Sequence, residues 1–151
     1  MKYTLELLIE CPIEEVIKKF HNPDTMAHWQ RGLVSCEHLS GTPGEIGAKM
    51  RLNYQIGKRK MELVETVTHK NLPHEFHATY DTKGMHNIQE NHFKENNEGH
   101  TVWISKSEFL PTNFMLWVIT LLMPRAFKKQ SRLYMDDFKN FAEKGVSVAQ
   151  E

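Results

Sequence analysis

The chain predicts an α+β fold in which a curved, seven-stranded antiparallel sheet wraps around one long C-terminal helix, with two short helices after the first strand. Three observations carry this reading. An apolar period of two opens the chain at Tyr3 and returns from Val34 to Phe109 in short runs separated by turn residues. No helical pattern interrupts those later runs, so their connections are hairpins and the sheet is an antiparallel meander. After Pro111 a helical period takes over and lasts until Gly145.

Each element follows from its own residues. Tyr3, Leu5, Leu7 and Ile9 alternate with Thr4, Glu6, Leu8 and Glu10, the pattern of a half-buried strand that Pro12 ends. Ile13, Val16, Ile17 and Phe20 then make the apolar side of a short helix whose wet side is Glu14, Glu15, Lys18 and Lys19. The Asn22-Pro23-Asp24 turn leads to a second helical segment from Met26 to Trp29. Val34 to Leu39 is the next strand, followed by a glycine-rich turn from Gly41 to Gly47. Ala48 to Ile56 alternates, with Met50, Leu52, Tyr54 and Ile56 on one face, and Gly57 reverses the chain. Met61, Leu63 and Val67 continue the apolar face to about His69, Asn71-Leu72-Pro73 turns, and Phe76, Ala78 and Tyr80 alternate against His77, Thr79 and Asp81 until Gly84.

The last hairpin runs from Met85 to Lys94 and from Thr101 to Phe109. One of its faces carries Met85, Asn87, Gln89, Asn91 and Phe93 opposite Trp103, Ser105, Ser107 and Phe109; the other carries Glu90, His92, Lys106 and Glu108 beside Ile88, Val102 and Ile104. The first face is expected inside, because buried amides and hydroxyls can bond one another whereas unpaired buried charges cost more. The final helix is expected from Asn113, its N-cap, to Lys144, bent where Pro124 removes a donor and capped by Gly145, with Val146 to Glu151 frayed. Phe127, Gln130, Leu133, Tyr134, Asp137, Phe138 and Phe141 share one of its faces.

Composition narrows the function classes. At 151 residues and 40% apolar, the chain fits one domain of residues 1–151 with a core large enough to enclose a modest cavity. Its 19 basic residues balance its 19 acidic ones, which argues against nucleic acid as a partner. Cys11 and Cys36 lack redox or zinc spacing and read as reduced thiols of a cytoplasmic protein. The alternating start is mature structure, not a signal peptide, and the ten-residue apolar run Phe114 to Met123 is well short of the ~20 residues a membrane span needs. Nine histidines show no ligand spacing, and His74 and His77 would face opposite sides of a strand, so no metal site and no cofactor are expected.

The order of elements carries a resemblance. The opening strand into Cys11-Pro12-Ile13-Glu14-Glu15-Val16, Asn22-Pro23-Asp24 leading to Trp29, and Gly44-Glu45-Ile46-Gly47 before a strand are its first marks. Glu98-Gly99-His100-Thr101 before the last strand and Leu133 to Glu143 in the final helix complete it. Over residues 2–145 the chain resembles the SRPBCC superfamily of helix-grip domains, which includes the START, Bet v 1, polyketide cyclase and coenzyme-Q-binding groups. These marks are framework features with no catalytic signature among them, so no catalytic residue is assigned. The resemblance implies an apolar cavity between sheet and helix for a lipid or other hydrophobic small molecule.

The residues expected to line it are Trp29 at one end, Met50, Leu52, Tyr54, Phe76, Tyr80, Trp103, Phe127, Tyr134 and Phe138 as walls, and Gln89, Asn91 and Ser105 as polar contacts. An enzyme of the cyclase or dehydratase type would instead use Tyr54, Tyr80 or Asp137 as acid or base, although Asp137 on an apolar helix face reads first as the partner of a sheet residue in a salt bridge. The run Phe114 to Met123 is apolar all round, and Phe114, Met115, Trp117 and Leu121 are expected to form an entrance lid or docking patch, with Arg125, Lys128 and Lys129 at hand for lipid headgroups. A homodimer contact competes equally for that patch, and a protein-interaction module of the Hsp90-activator-like type is the third reading.

Overall fold

The computed structural model describes residues 1–149. Strand β1 (Lys2–Ile9) leads into α1 (Ile13–Phe20) and α2 (Met26–Trp29). A meander follows: β2 (Leu33–Ser40), β3 (Lys49–Ile56), β4 (Arg59–Asn71), β5 (Glu75–Thr82), β6 (Met85–Glu95) and β7 (Thr101–Pro111). Helices α3 (Phe114–Leu122) and α4 (Pro124–Lys144) end the chain. The seven strands form one sheet in the order β1-β7-β6-β5-β4-β3-β2, every neighbouring pair antiparallel. Among the described residues no helix is long and apolar enough to cross a membrane.

The helices cover one face of the sheet, here called inner. Leu5, Leu7 and Ile9 of β1, Phe93 of β6 and Trp103 of β7 pack there against Ile13, Val16 and Ile17 of α1 and Met135, Phe138 and Ala142 of α4. Phe20 sits at the centre of this core, with its ring 5.1–5.6 Å from those of Trp29, Phe93, Trp103 and Phe138 and 6.2 Å from Phe76. The last hairpin adopts the expected orientation: Met85, Asn87, Asn91, Phe93, Trp103, Ser105 and Ser107 are buried, while Glu90 and Lys106 are exposed.

Three local features refine the expectation. The C-terminal helix is broken, not merely bent: Met123 leaves the helical region at φ −128°, ψ 48° and Pro124 starts α4 afresh. The residue before a proline is sterically barred from the α region, which is why the break falls one position ahead of the proline. Asn113 does cap α3, its Oδ1 accepting from Leu116 N at 2.9 Å, and Gly145 closes α4 at φ 69°. Val146 to Ala149 are tied down, since Val148 N donates to the His28 carbonyl at 2.9 Å and Ser147 Oγ lies 2.8 Å from His28 Nδ1. Gln150 and Glu151 lie outside the described residues.

Gly84 is needed for the β5–β6 turn to reach α3. Its φ is 86°, and a Cβ there would lie 2.2 Å from Asn113 Nδ2 and 2.7 Å from Leu116 Cδ1. The turn and the helix start are interlocked, and Thr112 N donates to the Gly84 carbonyl at 2.8 Å.

Candidate functional site on the inner face

Cross-strand register lines up Met50, Glu65, Tyr80, Asn87 and Phe109 as successive neighbours on β3 to β7. The alternation of each strand turns this row inward. Glu65 stands between Leu63 and Val67 on the apolar side of β4, where a carboxyl is unexpected. It is only 8% exposed, and among the described residues no cation pairs with it. Burial pushes its carboxyl above the usual carboxylate range, and a hydrogen bond with Tyr80 opposes this only in part.

The surrounding phenols are held in their protonated form. Burial, reinforced by the charge of Glu65, pushes the Tyr80 hydroxyl well above the ordinary tyrosine range. Tyr54 is shifted the same way by burial and then by Tyr134, and its hydroxyl donates to Gln30 Oε1. Tyr134 is raised by burial, hydrogen-bonds Gln130 and lies 3.5 Å from the Arg31 carbonyl oxygen. Around a carboxyl that resists ionisation, these hydroxyls make a site of neutral donors and acceptors.

The strip continues onto the last hairpin, where it is partly satisfied from within. Asn87 Nδ2 donates to the Glu108 carbonyl at 3.0 Å and Gln89 Nε2 to Asn87 Oδ1 at 3.0 Å. Trp103 Nε1 donates to Asn91 Oδ1 at 3.0 Å, with Ser105 paired to Asn91 across β6 and β7. Buried amides of this kind need such partners with or without a ligand.

The expected lining residues therefore separate into groups. Met50, Leu52, Tyr54 and Tyr80 gather with Leu63 and Cys36, and Glu65 and Tyr134 act electrostatically on the same tyrosines. Met50, Leu63, Tyr80, Gln89 and Tyr134 are half-buried and keep accessible surface. Trp29, Phe76, Trp103 and Phe138 instead pack around Phe20 in the core, where Trp29 Nε1 finds no hydrogen-bond partner among the described residues. Phe127 lies apart, edge-on to Phe109 with ring centres 5.1 Å apart, its carbonyl accepting from the Tyr3 hydroxyl at 3.1 Å.

Asp137 is paired, but not with the sheet. Arg31, in the loop between α2 and β2, donates from Nε to Oδ2 and from Nη2 to Oδ1, both at 3.0 Å. A fork-shaped guanidinium reaching from a loop satisfies both oxygens at once, which a strand residue fixed by its register does less readily.

The apolar run lies on the surface: Phe114, Leu122 and Trp117 are 76%, 75% and 49% exposed, with Met115, Leu121 and Met123 also open. Beside it an open groove of about 400 Å³ is lined by Leu5, Arg125, Lys128, Lys129 and Arg132.

No protein-family model and no curated protein matches the chain by sequence. Solved structures do. A Staphylococcus aureus protein of unknown function superposes with a TM-score of 0.76 at 13% identity, over 96% of this chain and 94% of its own. The ginseng (Panax ginseng) major latex-like protein 151 follows at 0.73 and 11%, over 94% and 97%, and Ara h 8.0201 at 0.70 and 10%, over 94% and 97%. The latter two belong to the Bet v 1 family. This chain has the helix-grip fold. At these identities the likeness extends to architecture, and the helix grip places Glu65 and its tyrosines on the sheet face that the helices cover.

Sequence reading missed Glu65. The signal was present: Met61, Leu63, Glu65 and Val67 share a parity, so a strict alternation puts the carboxyl on the apolar side.

Proposed function

We propose that the protein binds a hydrophobic small molecule or lipid against the inner face of its sheet, with the polar end of that molecule at Glu65 and Tyr80. The observation that carries this reading is Glu65: a buried carboxyl with no cationic partner among the described residues, beside half-buried Met50, Tyr80 and Tyr134. A few placed polar groups on an otherwise apolar surface orient a ligand. Burial works against charge on both Glu65 and Tyr80, which suits a hydroxyl, carbonyl or amide group in the guest better than a second carboxylate. The Bet v 1-type relatives support a binding role at the level of fold. The two free thiols, Cys11 and Cys36, fit a reducing cytoplasmic setting.

Helix α3 would be the place where such a guest is exchanged. Its exposed apolar side chains, with Arg125, Lys128, Lys129 and Arg132 immediately after, match an anionic bilayer in both polarity and charge.

The Glu65–Tyr80 hydrogen bond also supports a second reading, an acid–base enzyme of the cyclase or dehydratase type in which these two groups exchange a proton with the guest. Native mass spectrometry of the purified protein, followed by organic extraction, tests binding. A retained apolar molecule that Glu65→Gln and Tyr80→Phe release is the expected result. If it is instead converted over time by the wild type and not by Glu65→Gln, the enzyme reading takes its place.

A further inference from the structure

The outer face of the sheet carries a second cluster, independent of the inner one. His69 of β4, His77 and Glu75 of β5 and His92 of β6 meet there across three strands. His69 is paired with His77, their ring centres 5.0 Å apart, and the rings of His77 and His92 are 4.8 Å apart. Glu75 joins both edges, its Oε2 2.8 Å from His69 Nε2 and its Oε1 3.6 Å from His92 Nδ1.

A break in register builds this cluster. Val67 and His69 have the same parity, and a regular strand would send both side chains inward. Val67 is buried on the inner face opposite Ala78, but a bulge between the two residues pairs His69 with His77 and turns its ring outward. Bulges re-aim side chains in this way at functional positions.

We propose that His69, Glu75 and His77 bind a divalent transition-metal ion such as Zn²⁺, with His92 as fourth ligand or as the group that steadies Glu75. One donor atom from each of the first three lies within 4.8 Å of the others. A tetrahedral zinc ion with ligand bonds of about 2.0–2.1 Å needs its donors roughly 3.3 Å apart, a contraction that half-exposed side chains achieve by small χ rotations. Imidazole with carboxylate suits zinc, copper and nickel and disfavours magnesium and calcium. The ring of His77 is already oriented, since the Asn91 backbone N–H donates to its Nδ1 at 3.1 Å. Among the described residues His92 Nε2 has no hydrogen-bond partner. The exposed flank of His69 leaves room for water to complete the coordination.

Calorimetric titration of the metal-stripped full chain with Zn²⁺, with thermal melting of the same samples, tests this. Saturable binding of one ion per chain and a rise in melting temperature are expected. His77→Ala, and separately His69→Ala, should weaken binding at least about tenfold while His38→Ala, a histidine outside the cluster, leaves it unchanged. All three variants should melt like the wild type without metal, since the cluster lies on the surface. Absence of saturable binding, binding that survives the His69→Ala/His77→Ala double change, or half an ion per chain accompanied by dimerisation would each overturn the site.

Discussion

Arg31 grips Asp137 through two parallel hydrogen bonds of 3.0 Å, so a loop residue that is half exposed neutralises a carboxylate on the buried side of α4. The pair ties the loop before β2 to the helix that seals the core.

Arg31→Ala should therefore destabilise the protein more than loss of a surface charge would. The carboxylate it leaves behind is buried, and stranding such a charge costs about 3–5 kcal/mol in a fully buried pair. Because Arg31 itself is half in water, about 1–3 kcal/mol is expected by urea unfolding. Asp137→Asn combined with Arg31→Ala should recover part of that loss; a double variant as unstable as the sum of the singles would rule out direct coupling.

Glu65 gives stability a pH dependence of predictable sign. Its folded-state pKa is raised, so at a pH between the unfolded and folded values the folded protein still holds a proton that the unfolded chain has released. Stability from this group is greatest below the unfolded value and falls as pH rises through the folded one. Glu65→Gln removes the titration, and the variant should gain on the wild type as pH rises from the ordinary carboxylate range through the folded value. Parallel unfolding curves at every pH would show that the carboxyl is not perturbed.

The exposed helix α3 makes a prediction about membranes. Vesicles containing anionic lipid should shift Trp117 emission to shorter wavelength, with binding weakened by salt and by replacing Lys128 and Lys129 together with Gln. Leu121→Asp should abolish the shift without changing the melting temperature. A shift that follows protein concentration and ignores vesicles would assign the patch to a dimer contact.

Most of the framework was legible in the chain because it rests on local rules. Alternation marked the seven strands, Asn113 and Gly145 marked the helix ends, and the cost of buried charge oriented the last hairpin correctly. The break at Met123 was half legible: Pro124 announced a disturbance, but whether a helix bends or stops depends on what its flanks pack against.

The candidate sites were harder for identifiable reasons. Whether Trp29, Trp103 and Phe138 bound a pocket or fill it depends on distances among residues far apart in sequence, and the structure clusters them around Phe20. Arg31 and Asp137 are 106 positions apart, so no spacing rule links them. The histidine cluster is hidden twice over, first because its members sit on different strands, and again because the bulge before His69 reverses the parity by which a strand is read.

The stop at Met123 also divides the C-terminal segment by its tolerance to change. Substitutions in α3 fall mainly on open surface, whereas Met135, Asp137, Phe138 and Ala142 in the second half of α4 are buried and answer to the core. Because α3 is a separate helix, alterations in its length or polarity need not propagate into the register of α4. The chain can thus revise what it docks against while keeping intact the helix that closes its interior.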